Sequence, residues 1–386
     1  MANLRLRFGN LYGCPPPLVG ESCWSHLLHV TASNEEEGSN VSSARMRSEE
    51  GLVSVILAVR NERNYVEDAL RSLIQQNTEG FEMEILVIDG KSSDGTGDLV
   101  RSLAQEDARI RILTNEHGTT PFAFNLGLEE ARGCYVCILG SHALYERDYV
   151  RTCMSELLRT GASACGGLVE TWPANNGLQA RLVAWVLSHS FGSSTKSFRT
   201  RKQGFTDGVN FPLAIKQALL DVGKYDVQLT RNQDNDMNQR LRSHGHRLYI
   251  TEKTKCRYFV KADLKSLFQY AFRSGLWNVL SFRKNRKCMG LRHFVPFAFV
   301  AATVATLFML AAGLWFRGRH EWMFSLPFLL LVGAHLLSGT FASILVALRE
   351  RSIAPLILPI VFLTFHISYG AGSLWGLSRP PMKVEA

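Results

Sequence analysis

The chain has 386 residues, 46% of them hydrophobic, and a formal charge of +9 at neutral pH, which allows two or three structural units. Nucleic acid is a usual partner of such charge, but no recognition motif accompanies it. The eight cysteines are scattered, with no second pair to complete a zinc site around Cys134 and Cys137, so they read as core thiols in a reducing compartment. Hydropathy divides the chain into an irregular polar leader (1–50), an α/β domain (51–260), an amphipathic helix with a basic linker (261–292) and a membrane region of about three helices (293–386).

Residues 1–45 show no helix or strand periodicity. Pro15-Pro16-Pro17 and the run from Glu35 to Asn40 read as a flexible segment without the apolar core of a signal peptide, and Met46 is an alternative start. The branched run Val53–Val59 predicts a strand buried on both faces. After the polar turn Arg60-Asn61-Glu62-Arg63, Asn64 and Glu67 form a capping box for a helix with Val66, Ala69, Leu70, Leu73 and Ile74 on one face.

Glu84–Ile88 is the second buried strand, and it breaks into Asp89-Gly90 and a polar turn before a helix around Asp98–Leu103. Ligands of open α/β sheets sit beyond the carboxyl ends of strands, where Asp89 falls. On this stretch alone, an ordinary turn with Asp94 capping the next helix explains the pattern equally well. A strand at Ile110–Leu113, a helix opened by Pro121 and ended at Gly133, and a strand at Tyr135–Leu139 continue the alternation. Parallel pairing with helices on both faces follows. No Gly-x-Gly-x-x-Gly fingerprint succeeds the first strand, which argues against a nicotinamide or flavin enzyme.

Further on, Asp234 precedes Met237 and Leu241 near a helix start. In the next helix Leu264, Leu267, Phe268, Ala271, Phe272, Gly275 and Val279 share one side, and Gln269, Arg273 and Trp277 form a separate stripe. One face would lie in the membrane interface while the other closes the site. Phe294–Phe316, Leu326–Ala347 and Ile353–Leu377 can each cross a bilayer core of roughly 30 Å, with Arg317, Arg319, Arg349 and Arg351 at the interruptions. Two basic runs stand out, Lys196, Arg199, Arg201 and Lys202, then Arg283, Lys284, Arg286, Lys287 and Arg292. The second precedes the first span and predicts a multi-pass protein of the cytoplasmic membrane with its soluble domain on the cytoplasmic side. Pro355 and Pro359 leave room for a re-entrant last segment, and His335 and His366 read as hydrogen-bonded packing.

Val53-Ser54-Val55-Ile56 with Arg60-Asn61-Glu62, and Val87-Ile88-Asp89-Gly90 with Ser93-Asp94-Gly95-Thr96, resemble the opening of family 2 glycosyltransferases. Asn115, Pro121, Asn125, Gly127, Ala131, Gly133, His142-Ala143, Phe191-Gly192, Asp207, Val222–Asp226 and Arg231-Asn232-Gln233-Asp234 continue the likeness over roughly residues 52–377. It is nearest the membrane-bound succinoglycan-biosynthesis branch. The resemblance implies the GT-A nucleotide-diphospho-sugar fold. It assigns Arg60, Asn61, Glu62, Asp89, Gly90 and Asp207 to the donor, most often a uridine nucleotide, and Asp234 to the catalytic base. Arg273 would meet the departing diphosphate, with Gln233, Gln269 and Trp277 at the acceptor. The family's Asp-x-Asp metal element reads Gly140-Ser141-His142 here. The leading acid is missing, which leaves His142 as the candidate ligand for Mn2+ or Mg2+.

These residues together predict an inverting glycosyltransferase of cell-surface or exopolysaccharide synthesis. It would use a nucleotide-diphospho-sugar donor and a lipid-linked saccharide acceptor, with other polysaccharide assembly proteins as partners. The alternatives are a processive synthase and a non-catalytic member of an assembly complex.

Overall fold

The computed structural model describes residues 51–195, 197–316 and 321–380. The expected leader, Met46, Lys196, Arg317 and Arg319 lie outside the described residues. Strands β1 (Leu52–Val59), β2 (Glu82–Asp89), β3 (Ile110–Thr114) and β4 (Tyr135–Gly140) pair in parallel in the order β3-β2-β1-β4. Helices α1 (Val66–Ile74), α2 (Thr96–Glu106) and α3 (Thr120–Glu130) connect them. The continuous apolar runs are explained by their surroundings. Val53, Val55 and Leu57 enter one core, whereas Ile56, Leu86 and Ile88 enter a second on the opposite face. Buried Glu84 ties the strands at their start, accepting from Ser54 Oγ at 2.7 Å, Arg132 N at 2.8 Å and Arg111 Nη1 at 3.0 Å.

Two local expectations fail for physical reasons. The Asn64–Glu67 capping box does not form: α1 begins after Tyr65 with no side-chain cap. Glu67 instead pairs with Arg71 at 2.9 Å, one helical turn on. Helix α3 ends at Glu130 rather than Gly133, and the Gly133 N–H donates to Ser54 Oγ at 2.9 Å as the chain turns into β4.

The second half of the sheet is mixed. It comprises β5 (Ala143–Tyr145), α4 (Tyr149–Thr160), β6 (Ala164–Pro173), α5 (Leu178–Ser188) and the short α6 (Ser190–Ser193). Next come β7 (Gly204–Thr206), β8 (Leu213–Ile215), α7 (Lys216–Asp221), α8 (Gln233–Ser243) and β9 (Leu248–Val260). The sheet continues from β4 through β8, β6 and β9 to β5, with β8 antiparallel to both its neighbours. Cys137 lies fully buried in β4, as a core thiol would.

Beyond β9 come α9 (Leu264–Lys284), α10 (Val295–Phe316), α11 (Glu321–Glu350) and α12 (Leu358–Ser378). Among the described residues three segments are long and apolar enough to cross a membrane: Leu291–Gly313, Met323–Glu350 and Ala354–Ser378. The apolar face of α9 does not turn to lipid. Its Leu267 and Ala271 join Val361, Phe362 and Phe365 of α12 in one cluster. Arg283 closes the far end, donating to the carbonyls of Leu377 at 2.7 Å and Arg379 at 2.6 Å. The last turns of α9 also grip the start of α8. Asn278 Oδ1 accepts from Asn232 Nδ2 at 2.9 Å, and Asn285 Nδ2 donates to Asp236 Oδ1 at 2.9 Å. Lys284 pairs with Asp226 at 2.5 Å. The second basic run is therefore partly structural, and its Arg286 and Lys287 are the members left exposed without such contacts.

Candidate functional site

The carboxyl ends of β1, β2 and β4 open into a cleft of about 1090 Å³. Single small-molecule pockets run roughly 300–1,000 Å³, so the space suits a donor and an acceptor together. It runs from Arg60, Glu62 and Gly90 on the sheet, past Gly140 and Asp234, to Phe299, His335 and Phe365 on the apolar helices.

The sheet end is shaped by interlocked polar turns. Asp89 Oδ1 accepts from Ser92 N at 3.0 Å and Ser92 Oγ at 2.6 Å, and Ser92 Oγ accepts from Asn61 N at 2.9 Å. Asn61, in the left-handed region at φ 55°, accepts from Ser93 N at 2.9 Å. Asp94 Oδ1 accepts from Thr96 N at 3.0 Å within the turn, but the N-cap of α2 is Gly95 and the helix has no side-chain cap, so Asp94 does not cap it as the alternative expected. Arg60, Glu62 and Gly90 line the cleft, whereas Asn61 and Asp89 stand behind them and hold the rim in shape.

Glu62 and His142 meet across the cleft, Oε2 to Nδ1 at 2.8 Å. No sequence pattern announces this contact, since it joins the end of β1 to the turn after β4.

Asp234 lies in the first turn of α8, where a left-handed Asn232 (φ 62°) starts the helix. Its carboxylate lines the cleft. Burial alone pushes its pKa up to about 6, and no described side chain donates to it or pairs with it. A desolvated carboxylate with free lone pairs is suited to accept a proton near neutral pH. Gln233 lines the cleft beside it.

Asp207 does not join this site. It is held between Arg201 Nη2 at 2.7 Å and Arg292 Nη1 at 3.0 Å. Burial opposes ionisation there, but the two guanidiniums hold the carboxyl below its usual range, so it is a poor reserve base.

The α9 stripe is displaced from its expected position. Gln269 and Arg273 are exposed, and with Trp277 they lie outside the cleft lining. The stripe that faces the cleft is Ser266, Tyr270, Ser274 and Asn278. The apolar face packs on α12, and this rotates the helix so that a neighbouring stripe points inward. Arg231 lines the cleft too, its guanidinium 5.4 Å from the Tyr270 ring. Arg199 stands 4.9 Å over Tyr258 in the same cleft. In the sequence Arg199 is one member of a basic run and Tyr258 and Tyr270 give no signal, because isolated residues on separate elements carry no spacing pattern.

At the end of β4 both backbone groups of Gly140 bond the Tyr145 hydroxyl, the N–H at 2.7 Å and the carbonyl at 3.1 Å. A Cβ on Gly140 would lie 2.8 Å from Phe211 Cε1. The ring occupies the seat of the missing acid, so restoring the acid is not a simple gain. Gly140→Asp is expected to destabilise the fold by about 1–3 kcal/mol through overpacking. Thermal melting of the full chain checks this, and an unchanged melt with tightened metal binding would contradict it. Among the described residues no group of three or more His, Cys, Asp or Glu side chains is arranged to hold a metal. The nearest candidates, Glu62 and His142, are already bonded to each other.

The family model for Glycosyl transferase family 2 matches residues 54–222. The chain is 26% identical over 321 residues to the succinoglycan biosynthesis protein ExoA of Rhizobium meliloti, covering 82% of this chain and 92% of the relative. Over that stretch the chain is similar to glycosyl transferase family 2.

A second relative is the dolichyl N-acetyl-alpha-D-glucosaminyl phosphate 3-beta-D-2,3-diacetamido-2,3-dideoxy-beta-D-glucuronosyltransferase of Methanococcus voltae. It is 26% identical over 332 residues, covering 82% of this chain and 95% of the relative. Among solved structures, the mannosyltransferase PcManGT from Pyrobaculum calidifontis, in complex with GDP-Man and Mn2+, superposes with a TM-score of 0.52. It is 16% identical and covers 92% of this chain and 95% of its own. The fold is GT-A, followed by apolar helices consistent with membrane association. The Rhizobium meliloti relative is named for succinoglycan biosynthesis.

Proposed function

We propose that this protein is a glycosyltransferase that moves a sugar, with inversion, from a nucleotide diphosphate to a lipid-linked saccharide. The observation that carries the reading is Asp234, an unpaired, desolvated carboxylate in a cleft that reaches both the sheet ends and the apolar helices. The acceptor hydroxyl gives its proton to Asp234 as its oxygen attacks the anomeric carbon, and the nucleoside diphosphate leaves from the opposite face. Arg60, Glu62 and Gly90 receive the nucleoside. Asn61 and Asp89 set the turn that presents them, and Gln233 meets the acceptor.

The long cleft supports a lipid-linked acceptor, since Val295, Pro296, Phe299 and Phe365 line its membrane end. The Methanococcus voltae relative is named for a dolichyl-linked acceptor and a β-linked sugar, which supports both acceptor class and inversion. Residues 51–260 are read as the catalytic unit, 261–292 as its link to the membrane, and the exposed Arg286 and Lys287 as placing that unit on the cytoplasmic side.

Release of nucleoside diphosphate by membranes carrying the full chain, offered a panel of UDP- and GDP-sugars, tests the reading. Donor-specific release that rises when lipid extract is added is expected. No release with any donor would favour a non-catalytic partner in an assembly complex. Release with long-chain polymer formed from donor alone would favour a processive synthase.

A further inference from the structure

A diphosphate leaving group gains negative charge as the glycosidic bond breaks, and something positive must meet it. Magnesium and manganese take oxygen ligands, one or two of them protein carboxylates. At the end of β4 the expected carboxylate is Gly140, and the space an acid would need holds the Phe211 ring. That ring is held in place. Phe211 has φ 52°, in the left-handed region that a bulky residue occupies only when its surroundings impose it. Its carbonyl accepts from the Tyr149 hydroxyl at 2.8 Å, and its ring stacks on Tyr258 at 5.7 Å.

The same Tyr258 ring touches the edge of His142 at 5.8 Å and carries the Arg199 guanidinium on its face at 4.9 Å. Arg199 also donates to Thr171 Oγ1 at 3.1 Å, which fixes its reach. Arg231 stands across the cleft on Tyr270, close enough to Tyr258 to interact with it electrostatically. Among the described residues no carboxylate pairs with either guanidinium. Two oriented cations without acid partners among the described residues, lining the same cleft as Asp234, suit an anion.

We propose that Arg199 and Arg231 hold the donor diphosphate and stabilise its departure in place of a divalent cation. The inference rests on the glycosyltransferase reading given above. In the step, the bond from the anomeric carbon to the phosphate oxygen breaks and its electron pair stays on that oxygen. The acceptor oxygen forms the new bond, and its proton goes to Asp234. The charge that appears on the diphosphate is met by the two guanidiniums, which stay protonated throughout. Burial disfavours a lone Arg231 cation, but the same low dielectric strengthens its attraction to a bound anion.

Calorimetric titration of UDP and GDP into the full chain in nanodiscs, with and without excess EDTA, tests this independently of turnover. Binding of one nucleotide that changes less than about twofold with EDTA is expected. Arg231→Ala should weaken that binding about 10- to 100-fold, the loss of one charge-assisted contact to phosphate. Arg199→Ala should weaken it by a similar factor, and added guanidinium should restore part of either loss. Binding that collapses in EDTA and returns with Mn2+ would overturn the inference and leave the glycosyltransferase reading standing. Unchanged affinity in both arginine variants would also overturn it. Binding of neither nucleotide under any condition would sink the inference and the reading together. Donor turnover by the unaltered chain, measured in the same nanodiscs, judges the reading separately.

Discussion

Asp234→Asn should lower turnover by about 10²–10⁴-fold while leaving donor affinity nearly unchanged, because the amide keeps the shape but cannot accept the proton. The pH dependence follows from the same group. Burial holds the carboxyl at about 6, so the parent's kcat/KM should be level above that value and fall about tenfold per pH unit below it. Misfolding would be a trivial cause of lost activity, and linkage separates the two. A carboxyl whose folded pKa is raised costs nothing below its unfolded value, costs more as pH rises through the folded value, and carries the full cost above it. The Asn variant should therefore melt no lower than the parent at pH 8. An inactive variant with a lowered melt would speak for structural damage. Near-normal turnover would move the base elsewhere, and Asp207, clamped by Arg201 and Arg292, could not take over without breaking both pairs.

The larger structural effect is expected at Gly275. A Cβ there would lie 1.9 Å from the Tyr369 carbonyl oxygen and 2.9 Å from Ser373 N, which are backbone atoms with no rotamer to yield. Across the same contact, a Cβ on Gly372 would lie 1.9 Å from the Phe272 carbonyl oxygen. Helices α9 and α12 thus touch through bare backbone, the close approach that small residues permit between membrane helices. Gly275→Leu should cost at least the upper end of the ~1–3 kcal/mol typical of overpacking. The consequence reaches the chemistry. Prising α9 from α12 also loosens the Asn278–Asn232 bond that sets the turn before Asp234. Size-exclusion profiles of detergent-extracted full chain should show aggregate or loss for Gly275→Leu. Gly333→Ala is the matched control. Nothing lies within 4 Å of its added methyl, and replacing a mid-helix glycine by alanine is worth about 0.5–1 kcal/mol. A monodisperse Gly275→Leu with the parent's melting point would contradict the packing described.

What was legible in the chain, and what was not, follows from the range of the interactions. The first four strands and their helices announce themselves because burial on both faces demands runs such as Val53–Val59, and helices demand a one-sided stripe. Asp234 near a helix start is likewise a local pattern. The Glu62–His142 contact, the Phe211 ring over Gly140 and the Arg231–Tyr270 pair join residues far apart in sequence, and neither spacing nor composition encodes them. The α9 error is instructive in the same way. Periodicity identified its two stripes correctly as stripes, but the angle at which the helix docks was set by Gly275, Gly372 and Gly376 packing backbone to backbone. That rotation exchanged Gln269 and Arg273 for Tyr270 and Ser274 in the cleft. The capping box at Asn64 failed because Glu67 found Arg71 on its own helix. The antiparallel β8 went unseen because a three-residue strand, Leu213–Ile215, is too short to show alternation.

The most direct test of the central claim is mass spectrometry of lipid-linked saccharides from cells of the source organism carrying the parent chain, no chain, or Asp234→Asn at equal abundance. The reading predicts that the null and Asp234→Asn cells accumulate the same lipid-linked intermediate, one sugar shorter than the next species in the parent. Identical lipid-linked pools in all three, or a full-length product in Asp234→Asn cells alongside a truncated one in the null, would contradict it.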